Sequence, residues 1–234
     1  MYDITIMCLA NSRKPPSGRC IAGKSFDNEK STDWIRPVSA RPSHEVSEEE
    51  RRYESGEKAQ LLDIIEVPLL QASPTGHQIE NHILDDQYYW EKKGVATWHQ
   101  ILAAEDAYDA SFWRTAQSTY HGSNDKVSAA DAGQIGTSLK LVVVPKLSLL
   151  VRSESGFEGN PARRRVRAQF SVKGQHFLLS VTDPEIEETY LQQGNGTYEL
   201  GQAALCVSLA EVWNGFAFRV VASIITPERC GGAA

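Results

Sequence analysis

Arg163-Arg-Arg-Val-Arg-Ala-Gln-Phe-Ser-Val172, then Lys173-Gly174, then His176-Phe-Leu-Leu-Ser-Val-Thr182, is the stretch on which the fold turns. Side chains alternate across a strand, so Arg163, Arg165, Arg167 and Gln169 share one face. Val166, Ala168, Phe170 and Val172 share the other, with Arg164 among them. Lys173-Gly174 supplies a tight turn and His176 to Thr182 the returning strand. Asp183-Pro184-Glu185 then opens a helix. Asp183 suits the N-cap, Pro184 the first helical position, and Glu185 and Glu187 the positive end of the dipole. Gly194, after Gln192-Gln193, stops it.

Upstream, Leu139 to Arg152 is rich in Val and Leu and broken at Pro145, which predicts a long strand bent at a sheet edge. Downstream, Ala203 to Ala210 and Phe216 to Ile225 form two more strands joined around Asn214-Gly215, a favoured hairpin pair. Three strands, a helix and two strands is the element order of an OB-fold, a five-stranded Greek-key barrel.

The first half repeats that order more loosely. Asp3 to Ala10, Arg19 to Lys24 and Asp33 to Val38 are expected strands. Ser47-Glu-Glu-Glu50 is a capping-box pattern that predicts a short helix through Tyr53. Leu62 to Leu70 is a fourth strand, a fifth is expected between His77 and Lys93, and Thr97-Trp-His-Gln100 opens a helix to about Tyr108. The expected fold is therefore mainly β with a few short helices, as two tandem OB-fold-like five-stranded barrels. Residues 1–120 are assigned to the first barrel and its following helix, 121–138 to a linker rich in Ser, Gly, Asp and Ala, and 139–234 to the second barrel.

Composition narrows the class. The chain has 234 residues, 24 Lys plus Arg against 30 Asp plus Glu, and 41% apolar residues, ordinary values for a globular protein. The net charge of −6 argues against a whole-surface nucleic-acid binder but leaves room for local basic sites. The longest apolar run, Leu141 to Val144, stops at Pro145, so no membrane span is expected. Met1 to Ile6 has neither a basic n-region nor an apolar h-region, and a cytoplasmic location is expected. Cys8, Cys20, Cys206 and Cys230 form no CxxC pair, which disfavours a disulfide framework or a zinc ribbon. Cys8 and Cys206, in apolar runs, read as small buried hydrophobes. No P-loop, GxGxxG, GxSxG or HExxH occurs, and neither cofactor nor metal is expected.

Three N-terminal segments are distinctive: Cys8-Leu-Ala-Asn-Ser-Arg-Lys14, Gly18-Arg-Cys-Ile-Ala-Gly23 and Trp34-Ile-Arg-Pro-Val-Ser39. With Pro74-Thr-Gly-His-Gln-Ile-Glu-Asn81 and the closing strands up to Ile225-Thr226-Pro227, they resemble the bacterial dual OB-containing domain family across essentially the whole chain. The resemblance implies two OB barrels and recognition of nucleic acid or a nucleotide in a bacterial conflict or defence system. It implies no catalytic residues.

Three groups of residues are candidates for that role. From Ala162 to Thr182 there are five cations (Arg163, Arg164, Arg165, Arg167, Lys173) and no acid. Arg163, Arg165 and Arg167 recur at about 6.6–6.8 Å along one strand face, the scale on which a single-stranded backbone presents phosphates. Guanidinium binds phosphate through two parallel hydrogen bonds; the alternative is a solvated edge whose charges discourage strand pairing. Second, no acid falls between Asp3 and Asp27, where Asn11, Arg13, Lys14, Arg19 and Lys24 surround the loop from Pro15 to Gly18. Trp34 and Arg36 share a strand face and together suit a stacked base and its phosphate. The alternative places Trp34 in the core and pairs Arg36 with the Glu48–Glu50 segment. Third, His77, Gln78, Glu80 and Asn81 crowd donors and acceptors together, either as a polar turn or as a reader of base edges.

The leading expectation is a non-catalytic module for single-stranded nucleic acid or a nucleotide. One alternative is an enzyme acting on such a ligand through His77 with Glu80, or through Cys20 beside the basic loop. The other is an adaptor that binds a protein effector.

Overall fold

The computed structural model describes residues 1–231 except positions 16, 29, 115–116 and 157–160. Pro16 of the expected N-terminal loop lies outside the described residues.

The chain forms two closed rings of strands. In the first, β1 (Tyr2–Lys14), β2 (Gly18–Asp27) and β3 (Lys30–Val38) pair antiparallel in succession, and β3 runs parallel to β5 (Asn81–Leu84). β5 pairs with β4 (Asp63–Ala72), and β4 returns to β1. The ring order 1-2-3-5-4-1 makes this an OB barrel. A sixth strand, β6 (Glu91–Val95), adds to β4 beyond β5, and the helix α1 (Trp98–Ala103) follows.

The second ring has the same topology. β8 (Leu139–Glu154), β9 (Arg163–Val172) and β10 (Gln175–Val181) are antiparallel neighbours, and β10 runs parallel to β12 (Phe216–Ile225). β12 pairs with β11 (Gly196–Leu209), which closes on β8. Helix α3 (Pro184–Gln193) lies between the third and fourth strands of this ring, and Asp183 accepts from the amides of Glu185 and Ile186. Lys173-Gly174 and Asn214-Gly215 each place both residues at positive φ, as a tight hairpin turn requires. Gly201, at φ 74°, sits where the β11–β8 register shifts and lets the long strand bend around the barrel.

Three expectations change. Ser47 and Glu50 form the expected reciprocal cap, yet the segment makes turns rather than a helix. The Glu50 carboxylate also binds Ser39 and Arg41, Arg51 turns inward to the carbonyl of Ala59, and Arg52 and Tyr53 are drawn into bridges with Lys58 and Trp90. Helix α1 ends at Ala103, short of Tyr108, because Glu105 and Asp106 swing out to cap the amides of Val143 and Leu141 on β8. The stretch 121–138, expected as a linker, contains β7 (Lys126–Ser128), paired with β12, and the short helix α2 (Ala129–Ala132). Its small polar residues conceal three buried apolar anchors, Val127, Ala132 and Ile135, and a Ser128 N-cap.

The second barrel's core includes Phe112 and Trp113, whose indole meets Phe177 edge-on at 5.2 Å. Two further clusters join the barrels. Met7, Leu9 and Ile101 pack on Leu141, Ala204 and Ile225, and Ala10 and Ala22 pack on Leu139, Cys206 and Ala222. Small side chains let the sheets approach closely across this seam. Gly23 does the same between β1 and β2, where a Cβ would lie 2.3 Å from the carbonyl oxygen of Met7. Cys8 and Cys206 are buried, as their apolar surroundings predict. Among the described residues no helix is long and apolar enough to cross a membrane.

Candidate nucleic-acid interface

In an OB barrel the ligand face lies over the second and third strands, gripped by the loops that join strands one to two and four to five. In the second barrel those loops are 155–162, described at Ser155, Gly156, Pro161 and Ala162, and 210–215. A cleft of about 540 Å³ between Ser155, Pro161 and Ser180 is lined by Arg163, Arg165 and Arg167, with Glu154 as its one carboxylate. It shares Ser155, Gly156 and Arg167 with a larger cleft of about 750 Å³ lined by Tyr120, His121, Lys126, Trp213 and Phe216. The two clefts, together termed the groove, are neighbours that share this wall.

The arginines differ in what they can offer. Arg163 and Arg165 are exposed and make no ion pair with any described residue. Arg167 is 7% exposed and holds Glu154 through Nε and Nη2 at 2.5 and 2.9 Å. It is a wall of the groove rather than a free phosphate ligand, because β8 places Glu154 beside it and a buried guanidinium needs a counter-charge. Burial pushes the Glu154 carboxyl up. The hydrogen bonds and charge of Arg167, with His121 and Arg152, outweigh that push, so the group titrates below its ordinary range. A carboxyl depressed in the folded state contributes stability above the ordinary glutamate value of about 4.3, and the contribution fades as pH falls through that range. Glu154→Gln is therefore expected to lower Tm at neutral pH and to flatten its decline as pH falls below about 5. An unchanged acid slope in thermal scans would remove Glu154 from this role.

The aromatic side supplies stacking surface. Tyr120 is 92% exposed and Trp213 59%, each on a loop that borders the groove. Lys126 Nζ sits 3.6 Å from the centroid of the Phe216 ring, which holds a further cation at the cleft. Sequence reasoning missed Tyr120, His121, Lys126, Trp213 and Phe216. The available signal was Trp213 directly before the Asn214-Gly215 turn, an aromatic carried at a hairpin tip.

The N-terminal candidates lie elsewhere, along the seam. Arg36 is 2% exposed and donates to Glu80 at 3.0 Å, Ser138 Oγ at 2.8 Å and Asn81 at 3.3 Å. Its partner is Glu80, not the Glu48–Glu50 segment. Ser138 Oγ also donates to Glu80. His77 Nε2 faces the carbonyl oxygens of Leu209 at 3.2 Å and Ala210 at 3.0 Å, so Nε2 carries the proton, and Gln78 donates to Leu209 as well. Trp34 Nε1 donates to Asp106 at 3.0 Å, and Lys24 reaches the same carboxylate at 2.7 Å. Arg13 pairs with Glu187 at 3.1 Å, Lys14 with Glu211 at 2.9 Å and Arg19 with Glu48 at 3.8 Å. Asn11 donates to the carbonyl of Ala59 at 3.1 Å.

Apart from Asn11, these residues face the second barrel or acids of their own barrel; Arg36, His77 and Gln78 are buried and Trp34 is half-buried. Arg13, Lys14, Cys20, Arg36 and Gln78 do meet around a seam cavity of about 270 Å³, which Glu211 also lines. His77 and Glu80 are each engaged by other partners, so neither is poised as half of an acid–base pair. Among the described residues no group of three or more His, Cys, Asp or Glu is arranged to hold a metal.

A family model described as the dual OB-containing domain matches residues 4–224. No curated protein and no solved structure matches the chain.

Proposed function

This chain belongs to the dual OB-containing domain family, and from that premise we propose that its second barrel is a non-catalytic reader of single-stranded nucleic acid. OB barrels are a nucleic-acid-binding type of module. The observation that carries the reading is a pair of adjoining clefts, one lined by Arg163 and Arg165, exposed and without an ion pair among the described residues, the other by exposed Tyr120 and Trp213. A backbone running past the arginines and bases stacking on the rings is the combination that holds single strands without base-edge readout. A free nucleotide, with one base and fewer phosphates, would fill only part of the groove.

Two to three phosphate contacts, from Arg163, Arg165 and Lys126, give a log–log salt slope of roughly −1.4 to −2.1 for a single strand. In anisotropy titrations with short DNA and RNA oligonucleotides, Arg163→Glu with Arg165→Glu is expected to weaken binding by at least about tenfold and to flatten the slope by about 1.4. Tyr120→Ala, with no core role to lose, removes one stacking surface and costs about tenfold without altering the slope. Binding that survives all three substitutions would overturn the proposal.

The family resemblance implies a place in bacterial conflict or defence. A module that recognises without reacting would there pass occupancy to a protein effector in the cytoplasm.

A further inference from the structure

The first barrel carries a second cleft whose chemistry is the reverse of the groove. About 360 Å³ in volume, it is walled by Tyr53, Tyr89 and Trp90 and by the carboxylates of Glu54, Glu57 and Glu91. Glu54 and Glu57 pair with no cation among the described residues, while Glu91 is taken by Lys93 at 2.8 Å. Lys92, the cation of the lining, is spent on Asp63 at 2.6 Å. Tyr88 and Tyr89 are 57% and 53% exposed, a large aromatic surface to leave in water. Trp90 is 1% exposed, yet its indole Nε1–H has no acceptor among the described residues.

We infer that this cleft binds an arginine side chain presented by an extended segment of a partner protein. Unpaired carboxylates and aromatic faces together select a cation that can stack, which guanidinium does better than ammonium. The orphan indole N–H requires an acceptor, and a peptide carbonyl supplies one. β6, whose first residues Glu91 and Lys92 line the cleft, has β4 as its one strand partner among the described residues; Trp90 just before it is bridged to Tyr53, so the main-chain groups left to an extended segment are those of β6 itself. The chain already makes the same contact in miniature. Arg52 places its guanidinium 5.5 Å over the Tyr89 ring and pairs with Glu49 at 2.6 Å, so it occupies part of the surface an incoming arginine would use.

The test is fluorescence titration of the full chain with a short labelled peptide of alternating arginine and glycine. The same peptide with lysine, and with glutamate, serves for comparison. Saturable binding is expected in the order arginine, lysine, glutamate. Tyr89→Ala leaves the net charge unchanged and should weaken the arginine peptide by roughly three- to thirtyfold, and Glu57→Gln should weaken it too. Arg52→Ala should strengthen it, because the internal competitor is gone and the bridging main chain stays. Equal affinity in the wild type and Tyr89→Ala would reduce the binding to bulk attraction for an acidic protein and overturn the inference, as would weaker binding by Arg52→Ala. Oligonucleotide binding measured on the same variants should not change, which separates this site from the second-barrel groove.

Discussion

Glu80→Ala is expected to destabilise the molecule by about 3–5 kcal/mol in urea unfolding, since it leaves a buried guanidinium without its counter-charge. Arg36 is 2% exposed and Glu80 5%, so water cannot take over the lost contacts. Ser138 loses its acceptor in the same step. The double variant Arg36→Met with Glu80→Met should be milder than Glu80→Ala, because both charges leave together and only a local repacking remains. Ser138 stands at the start of β8 and Arg36 on β3, so the damage falls between the barrels. Unfolding of Glu80→Ala should therefore separate into two transitions. A cost below about 1 kcal/mol would place this pair with solvent-exposed bridges and remove it as the lock of the seam.

Trp113→Ala should cost a similar amount, about 3–5 kcal/mol, through the cavity left by a fully enclosed indole. Trp113 is 2% exposed and is held edge-on by Phe112 at 5.1 Å, Phe177 at 5.2 Å and Phe170 at 6.4 Å. The neighbouring carbonyls of Phe112 and Arg114 accept from Arg219, which is 1% exposed. The segment before β7 is thus fastened to the second barrel by packing and by hydrogen bonds. A fragment that begins at 139 lacks all of these contacts and should be markedly less stable than one that begins near Asp109. Equal melting of the two fragments would show that the segment adds nothing to the core.

The second barrel was legible because its punctuation is local. Asp183-Pro184 marks a helix start and Asn214-Gly215 a turn wherever they occur, and alternation from Arg163 to Val172 gives the strand faces directly. The first barrel's capping box was read correctly as a local motif but not as an element, since tertiary demands on Glu50, Arg51 and Tyr53 overrode it. The larger miss is electrostatic. The N-terminal segment carries no acid between Asp3 and Asp27, so counting along the chain marks it as a free basic site. In space, Glu48, Asp106, Glu187 and Glu211 neutralise it, from as far as 197 positions away. A window on sequence cannot find such partners. The same limit hid Glu154 from Arg167. Arg163 and Arg165 make no ion pair among the described residues, although Glu154 stands opposite Arg163 across the ladder and spends its carboxylate on Arg167. Tyr120 was hidden for another reason: a single aromatic in a loop carries no periodicity, and Trp213 was marked only by its place before the Asn214-Gly215 turn.

His77 has a significance beyond its own hydrogen bonds. The carbonyls it grips, Leu209 and Ala210, are the last residue of β11 and the first of the loop that carries Trp213. A side chain of one barrel thus splints the root of the loop on the other barrel that carries Trp213. If the proposed recognition holds, the first barrel contributes leverage to it: it fixes the angle at which the Trp213 ring is presented, and a second barrel excised from its neighbour would keep the cleft residues while losing the fulcrum that aims this loop.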